Sequence, residues 1–399
     1  MQTPPIHLLI VTGQAQANLI PIMQFKPDVV ALAVSKAMQG NARQFVKLLT
    51  NLAGYREENI IQFHDVPDVG LEAIKDRAME IEDELNRRFP NQPIAYHATG
   101  GTKLMALGFY DVFHSEPVFY TDSEHGQIEV LYKEKSQPIA IDKVLSIESY
   151  LFSMDKQIRK RADNVWEDIA RQRRSLSFWL AQNAEPLEKY WNVINLLAHQ
   201  ALAEQERGKP PILDQPEQTF LAGKTPHGAW KTALQKCTEA GVCQWDSGNP
   251  QRLTFEKANG AQYLSGSWLE EYVWLTASEL GCEQVYAYVF FTETGNPKDD
   301  IRNEMDCLIL HNSRLLMVEC KTSDFKKGSP KNDGVLYKLD TLERRTGGLF
   351  GDAWLASART LDAATKNRAQ EYKIKVIDGG EIKQMKNRIL EWMSGKVQS

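Results

Sequence analysis

Paired cysteines are missing from this chain. Its five cysteines, Cys237, Cys243, Cys282, Cys307 and Cys320, are odd in number and none stands in a CxxC, so neither a zinc knuckle nor a disulfide framework is supported. Long apolar runs are missing as well: no stretch approaches the roughly 18 residues that a membrane span needs. The opening MQTPPIHLLIVTG has no basic region ahead of a long apolar run, which argues against a secretory signal. Nor is there an excess of positive charge. Lys and Arg total 47 against 52 Asp and Glu, a net charge of -5, so a polyanion would have to be gripped by a local patch. The dinucleotide fingerprint GxGxxG and the phosphate loop GxxxxGK[ST] are both absent. The expectation from these absences is a cytoplasmic protein with reduced thiols and no membrane association.

What is present is enough chain for two or three domains: 399 residues, 42% hydrophobic and 25% charged, as in ordinary globular proteins. In the first half, IHLLIVTG (6–13), VVALAVS (29–35), IIQFHDV (60–66) and PIAYHAT (93–99) read as buried parallel strands. Amphipathic segments separate them. Leu71, Ile74, Ala78, Ile81, Leu85 and Phe89 recur at helical spacing, and NARQFVKLLTNLAG (41–54) stops at Gly54. PVFYTD and QIEVLY close the pattern as a hairpin turning at 123–126. Such alternation predicts a doubly wound, Rossmann-like α/β sheet.

Ligands of such sheets bind where strands end and helices begin. The first strand runs into TGQAQAN (12–18) and the fourth into HATGGTKLMALG (97–108). Gly100 and Gly101 let backbone pass close to a ligand, while Thr102 and Lys103 open a helix whose free N–H groups attract an anion. A plain glycine turn is the alternative. The TGGTK run resembles the signature of CARF domains, the CRISPR-associated Rossmann folds, over roughly residues 5 to 145. That resemblance implies a dimer binding cyclic oligoadenylate across its two-fold axis. It assigns the ligand backbone to Thr99, Gly100, Gly101, Thr102 and Lys103. Gly13, Gln14 and Asn18 would contribute from the first loop, and Ser35 with Lys36 from the second.

The middle of the chain carries no chemistry that can be named. DKQIRKRADNVWEDIARQRRSLSFWLAQ (155–182) reads as a long helical stretch with basic clusters at 159–161 and 171–174. Acidic residues interleave, so a solvated face is expected over a nucleic-acid surface. RGKPPILDQPEQ (207–218) reads as a linker, and 227–257 resembles part of a small winged-helix unit. Trp191 and Trp230 are expected to pack.

From Tyr263 the order becomes α-β-β-β-α-β. A helix over 264–281, with Ser265 or Ser267 as cap, precedes strands at 285–293, 304–312 and 314–322; the last two form a tight hairpin about residues 312–313. That register brings Asp306 near Glu319, and Glu319 and Lys321, two apart, share a side of their strand. Two carboxylates and an ammonium then converge, with Glu270 on the preceding helix as a third acid. Hard cations such as Mg2+ or Mn2+ prefer oxygen ligands, so Asp306, Glu319 and Glu270 can hold one. A bound ion lowers the pKa of its water, and Lys321 stabilises an oxyanion. The chemistry is phosphodiester hydrolysis; the alternative is a strand-end salt bridge. Whether Glu270 or Glu271 faces the ion is left to helical phase: Leu269, Val273 and Ala277 set the apolar face, and Glu270 lies one step from it.

This set, Asp306…Glu319-Cys320-Lys321, resembles the PD-(D/E)xK nuclease superfamily over roughly 260 to 395, with Met305 where many members carry proline. Residues 321–345 hold seven basic and four acidic residues, a local net of +3, with Tyr337 and Lys338 as candidate nucleic-acid contacts. The pairing of the two halves resembles CRISPR ancillary nucleases of type III systems. It implies a CARF domain at 1–148, a helical, winged-helix-like connector at 149–260 and a restriction-endonuclease-like α/β domain at 261–399. It further implies a homodimer activated by cyclic oligoadenylate, in particular cyclic tetra-adenylate, and acting on DNA, RNA or both. Two other readings compete: a nucleotide-responsive binding protein without catalysis, and a stand-alone restriction- or repair-type nuclease.

Overall fold

In the computed structural model, residues 4–131, 136–205, 209–221, 225–294, 303–322 and 330–395 are described. The first five strands form where apolar runs were expected: β1 Ile6–Ile10, β2 Val29–Ala33, β3 Ile60–Phe63, β4 Ile94–His97 and β5 Val118–Asp122. Helices α1 Ala15–Phe25, α2 Gln39–Asn51, α3 Leu71–Arg88 and α4 Lys103–Phe113 connect them. Two further strands, β6 Gln127–Val130 and β7 Ile139–Ala140, complete a sheet of order β3-β2-β1-β4-β5-β6-β7. The first five strands run parallel, and β5–β6–β7 are antiparallel. Strand order reverses between β1 and β4, which is where such sheets open a crevice for ligands. The α3 helix buries Ile74, Ala78, Ile81 and Leu85, the face read from the sequence.

Helix α5, Ile147–Ser153, leads out of this domain. The next segment differs from expectation. Residues 156–160 are a strand, β8 Lys156–Lys160, and not the start of a long helix. It pairs antiparallel with the edge of the second sheet, Ile158 facing Phe291 and Lys160 facing Phe290. Basic clustering hid the strand, because an edge strand tolerates charge on its open side. Helices α6 Asn164–Gln172, α7 Arg174–Gln182, α8 Ala184–Leu187 and α9 Trp191–Gln200 follow. A small unit then combines β9 Glu217–Thr219, α10 Ala229–Glu239, β10 Gln244–Trp245 and β11 Arg252–Thr254. One helix and a three-stranded antiparallel sheet of order β10-β11-β9 thus stand where a winged-helix-like unit was expected. Trp191 stacks on Trp268 at 4.7 Å and Trp230 on Tyr190 at 4.3 Å, so both are packing residues.

Helix α11, Ala258–Gln262, and a π-helical turn at Tyr263–Ser267 lead into α12, Trp268–Glu279. Then come β12 Gln284–Glu293, β13 Asn303–His311, β14 Arg314–Lys321, α13 Pro330–Leu342, β15 Gly351–Ser357, α14 Ala363–Glu371, β16 Lys375–Asp378 and α15 Met385–Met393. The second sheet has the order β16-β15-β14-β13-β12-β8. The hairpin turns at Asn312 and Ser313, both at positive φ (48° and 57°), with His311 paired to Arg314. Left-handed backbone at both central residues is the tight turn whose twist suits a hairpin.

The two halves share a core. Leu9, Leu19, Phe119, Tyr150 and Leu151 from the first half are buried in one cluster with Phe291, Met305, Met317 and Leu355 from the second. Polar links reinforce it: Tyr150 donates to Gly347 O at 2.5 Å, Tyr286 to Glu148 at 2.7 Å, and Ser313 to Asp142 O at 2.8 Å.

Candidate functional site

The C-terminal end of β14 and the facing part of β13 assemble the acidic centre. The pairing of Cys307 with Val318 carries on to place Asp306 beside Glu319. Both acids are buried, at 6% and 3% exposure. Asp306 Oδ2 accepts the Cys320 N–H at 2.7 Å and lies 3.9 Å from Lys321 Nζ. Lys321 Nζ sits 2.7 Å from Glu319 Oε1. Lys338 on α13 joins from the other side, its Nζ 3.2 and 3.1 Å from the two Glu319 oxygens. The sequence had offered Lys338 only as a contact for nucleic acid; here it closes on the Glu319 carboxylate. Tyr337, its neighbour, is 65% exposed.

Helix α12 settles which glutamate faces the centre. It is buried on nearly every side, so its apolar phase carries no direction. Glu271 turns to Arg173 at 2.9 Å, both being buried. Glu270 turns to Asp306 and Lys321, whose charges act on it. Ser267, the residue ahead of α12, makes no side-chain cap bond.

Proton affinities follow burial and charge. Burial first, and then Asp306, push the Glu270 carboxyl well above the usual range. Burial and the neighbouring Glu319 raise Asp306. For Glu319, burial works upward but is outweighed by Lys321 and Lys338, which hold it below its ordinary value. Lys321 is raised: burial works against it, and Asp306 and Glu319 prevail. Burial and the charge of a neighbouring acid leave Glu270 and Asp306 short of the positive charge that would ionise them.

A hard divalent ion fits that shortage. Glu270 Oε2 is buried without a hydrogen-bond partner, and all three acids offer oxygen. Among the described residues no three acidic, His or Cys side chains are already drawn together around one point; the Lys321 ammonium stands between Asp306 and Glu319.

The other expected site lies at the β1–β4 crevice. Thr102 caps α4, accepting the Met105 N–H at 3.2 Å. Gly13, Lys36, Gly101, Thr102 and Lys103 are exposed there. The rest serve the frame. Asn18 is buried and donates to Ile10 O at 2.9 Å, Thr99 Oγ1 accepts the Thr121 N–H at 2.8 Å, and Ser35 is buried. Gly100 is buried too, and a Cβ there would lie 2.0 Å from Ile10 O. Gln14 is half-buried, its Oε1 enclosed without a partner. In the middle segment the basic cluster at 171–174 is spent on acids: Arg171 on Glu167 and Asp168, Arg173 on Glu271, Arg174 on Glu279. Lys326 and Lys327, part of the basic run at 321–345, lie outside the described residues.

Comparison with known families agrees with both domains. Residues 6–150 match the model described as "Card1 CARF domain", and residues 257–396 the model described as "Card1-like, endonuclease domain". The chain joins a Card1-type CARF domain to a Card1-like endonuclease domain. The CARF model ends within α5, and the endonuclease model begins just ahead of α11. No curated protein matches the chain. Among solved structures it resembles protein VC1899 from Vibrio cholerae, at 20% identity and a TM-score of 0.77, covering 98% of both chains. It also resembles Can2 from Sulfobacillus thermosulfidooxidans in complex with cyclic tetra-adenylate, at 21% identity and 0.73, covering 98% and 97%. A third, a type III CRISPR defence DNA nuclease activated by cyclic oligoadenylate, aligns at 16% identity and 0.50 over 91% of this chain and 47% of that one. These identities speak for the fold. Among the described residues no helix is long and apolar enough to cross a membrane.

Proposed function

We propose that this protein is a nuclease of type III CRISPR defence, switched on by a cyclic oligoadenylate and dependent on Mg2+ or Mn2+. The observation that carries the reading is the convergence of Asp306, Glu319, Lys321 and Glu270 at one end of the second sheet. Glu270, Asp306 and Glu319 would hold the ion, which when bound supplies an activated water and neutralises phosphate charge. Lys321 holds a fixed positive charge beside the acids, where it stabilises the phosphorane oxygens. Lys338 keeps Glu319 ionised and oriented. A cleft of about 280 Å³ opens beside the centre, lined by Lys160, Arg161, Trp166, Tyr288 and Glu304. It offers a DNA or RNA strand a partly basic wall, and no base-reading motif accompanies it, so cutting with little sequence preference is the expectation.

Cyclic tetra-adenylate is the proposed activator, as the ligand in the Can2 complex. Its seat is the β1–β4 crevice, where Gly13, Gly101, Thr102 and Lys103 are open to solvent and α4 presents its N-terminus. The two-fold symmetry of such a ring asks for two copies of the domain. Helix α4 leaves Leu104, Leu107 and Tyr110 exposed along one side, which supports a homodimer through this domain. The shared core and the Tyr150–Gly347 bond link sensor to effector within each protomer. The proposed location is the cytoplasm.

The test is cleavage of supercoiled plasmid, single-stranded DNA and single-stranded RNA with Mn2+, with and without cyclic tetra-adenylate. Wild type and Lys321→Ala are compared. Cutting that needs ligand and is lost with Lys321 supports the reading; equal cutting without ligand removes the sensor, and no cutting at all removes the nuclease.

A further inference from the structure

We infer that Tyr288 is a positioning residue of the nuclease centre, holding the Glu270 carboxylate toward Asp306 and Lys321 through its phenol and Ser267. This rests on the nuclease reading above and adds to it residues that neither motif contains.

Two backbone irregularities converge on Glu270. The first lies in β12. Its ladder with β13 pairs Ala287 with Cys307 and Val289 with Met305. The position between them, opposite Asp306, is Tyr288, whose φ is +52°. A left-handed conformation is disfavoured for a bulky residue in mid-strand and persists where the surroundings impose it. The second lies ahead of α12. Tyr263–Ser267 forms a π-helical turn, a form that concentrates at functional sites. Within it Gly266 has φ +146°, and a Cβ there would lie 2.8 Å from Thr322 Oγ1. Only glycine lets this turn seat against the end of β14, one residue past Lys321.

The two irregular segments meet. The Tyr288 hydroxyl donates to Ser267 Oγ at 2.5 Å and faces the Glu270 carboxylate. Trp166 braces the Tyr288 ring edge-on at 5.4 Å. Phenylalanine would fill the same volume, and a buried hydroxyl adds nothing to packing. Its value lies in anchoring the phenol: the proton goes to Ser267 Oγ, which fixes the phenol oxygen beside the Glu270 carboxyl group. Groups that orient metal-ligating carboxylates typically carry ~10–100-fold in metal affinity or activity.

The experiment uses the full-length protein. Mn2+ is titrated without substrate, followed by the loss of free Mn2+ signal in electron paramagnetic resonance, and steady-state cleavage is measured with cyclic tetra-adenylate. Tyr288→Phe is expected to lower kcat and weaken Mn2+ affinity by about tenfold or more. KM and cyclic tetra-adenylate affinity should stay within about twofold of wild type on the same grounds. Ser267→Ala should act in the same direction, and the double variant should be no worse than Tyr288→Phe alone; Ser267→Ala also serves if Tyr288→Phe does not fold. Unchanged kcat and Mn2+ affinity, with only a lower melting temperature, overturns the inference. Asp306→Asn separates the two readings. If it abolishes cleavage while Tyr288→Phe does not, only the positioning role fails. If wild type neither cuts nor binds Mn2+, both fall.

Discussion

Gly348 of the endonuclease domain stands directly against Gln16 of the CARF domain: a Cβ built on it would lie 2.7 Å from Gln16 Oε1 and 3.1 Å from Gln14 Oε1. The side-chain amides of Gln16 and the hydroxyl of Thr346 are buried there without hydrogen-bond partners. This is a close, polar contact between the two domains. It joins the loop that enters α1, beside the proposed ligand seat, to the turn that follows α13, which carries Lys338.

Gly348→Ala should therefore disturb communication more than either site. At φ +59°, alanine costs about 1 kcal/mol or more in backbone strain alone, before the encounter with Gln16. The expected outcome is a modestly lowered melting temperature and ligand affinity within about threefold of wild type. Stimulation of cleavage by cyclic tetra-adenylate should fall by about fivefold or more, a coupling loss of the ordinary size for linked sites. Isothermal titration and cleavage assays on one preparation decide it, and undiminished stimulation would take this contact out of the coupling route.

Lys321 and Lys338 both touch Glu319, yet their loss should differ. Lys321 is 2.7 Å from Glu319 and also reaches Asp306; among the described residues Lys338 forms its ion pair with Glu319 alone. Lys321→Ala removes the fixed charge proposed to meet the reacting phosphate and should cost about 10²–10³ in kcat. Lys338→Ala leaves that charge and should cost about tenfold. It also removes one of the two groups holding the Glu319 carboxyl low. On the proposed role of Glu319 as an ionised metal ligand, the acid limb of the pH–rate profile should move to higher pH relative to wild type. An unmoved acid limb would assign Lys338 to substrate contact only.

Much of this was legible because it lies in periodic patterns. Alternation of apolar runs with amphipathic segments specified the first sheet, and the residue spacing about the 312–313 turn specified the meeting of Asp306 with Glu319. What escaped had no local signature. Strand β8 is a basic stretch that becomes a strand only by pairing with β12 of the far domain. Arg173 looked like part of a solvated basic face, yet it is buried against Glu271. Phase was a poor guide between Glu270 and Glu271 because α12 is enclosed all round. Tyr288 sits in VYAYVFFTE, where nothing marks one aromatic as standing in left-handed backbone. Each was decided by a tertiary partner distant in sequence.

Acid should weaken the CARF domain through a buried histidine pair. His97 Nε2 lies 2.9 Å from His7 Nδ1, and both rings are fully buried. Burial lowers His97 to about 3, and burial with the His97 charge lowers His7 well below its ordinary value. Both stay neutral in the fold while the unfolded chain protonates them below about 6.5. Unfolded protein then binds more protons, so stability falls as pH drops from about 6.5 toward the depressed folded values, by up to ~1.4 kcal/mol per pH unit for each histidine. Melting temperatures between pH 7.5 and 4.5 should show this slope, and His7→Asn/His97→Asn should flatten it. An equal slope in the double variant would place the acid sensitivity elsewhere.

The TGGTK run should divide into a part that builds the fold and a part that meets the ligand. Gly100 is buried where a Cβ would lie 2.0 Å from the backbone oxygen of Ile10, and that same oxygen accepts from Asn18. A backbone atom cannot swing aside as a side chain can, so Gly100→Ala must push β1 from the loop after β4 and break the Asn18 bond. A loss of several kcal/mol is expected, on the order of ~3 as for other overpacked core sites. Lys103 is exposed at the first turn of α4. Lys103→Ala should leave the melting temperature within about 1 °C, since surface changes of this kind stay near ±0.5 kcal/mol. It should weaken cyclic tetra-adenylate binding by about tenfold, with a shallower salt dependence. Lys103→Arg should recover most of that affinity, because the requirement is for positive charge at the helix N-terminus. If Lys103→Ala instead binds the ring as wild type does, the ligand lies elsewhere, and the glycines of this run serve only to bring β1 and β4 together.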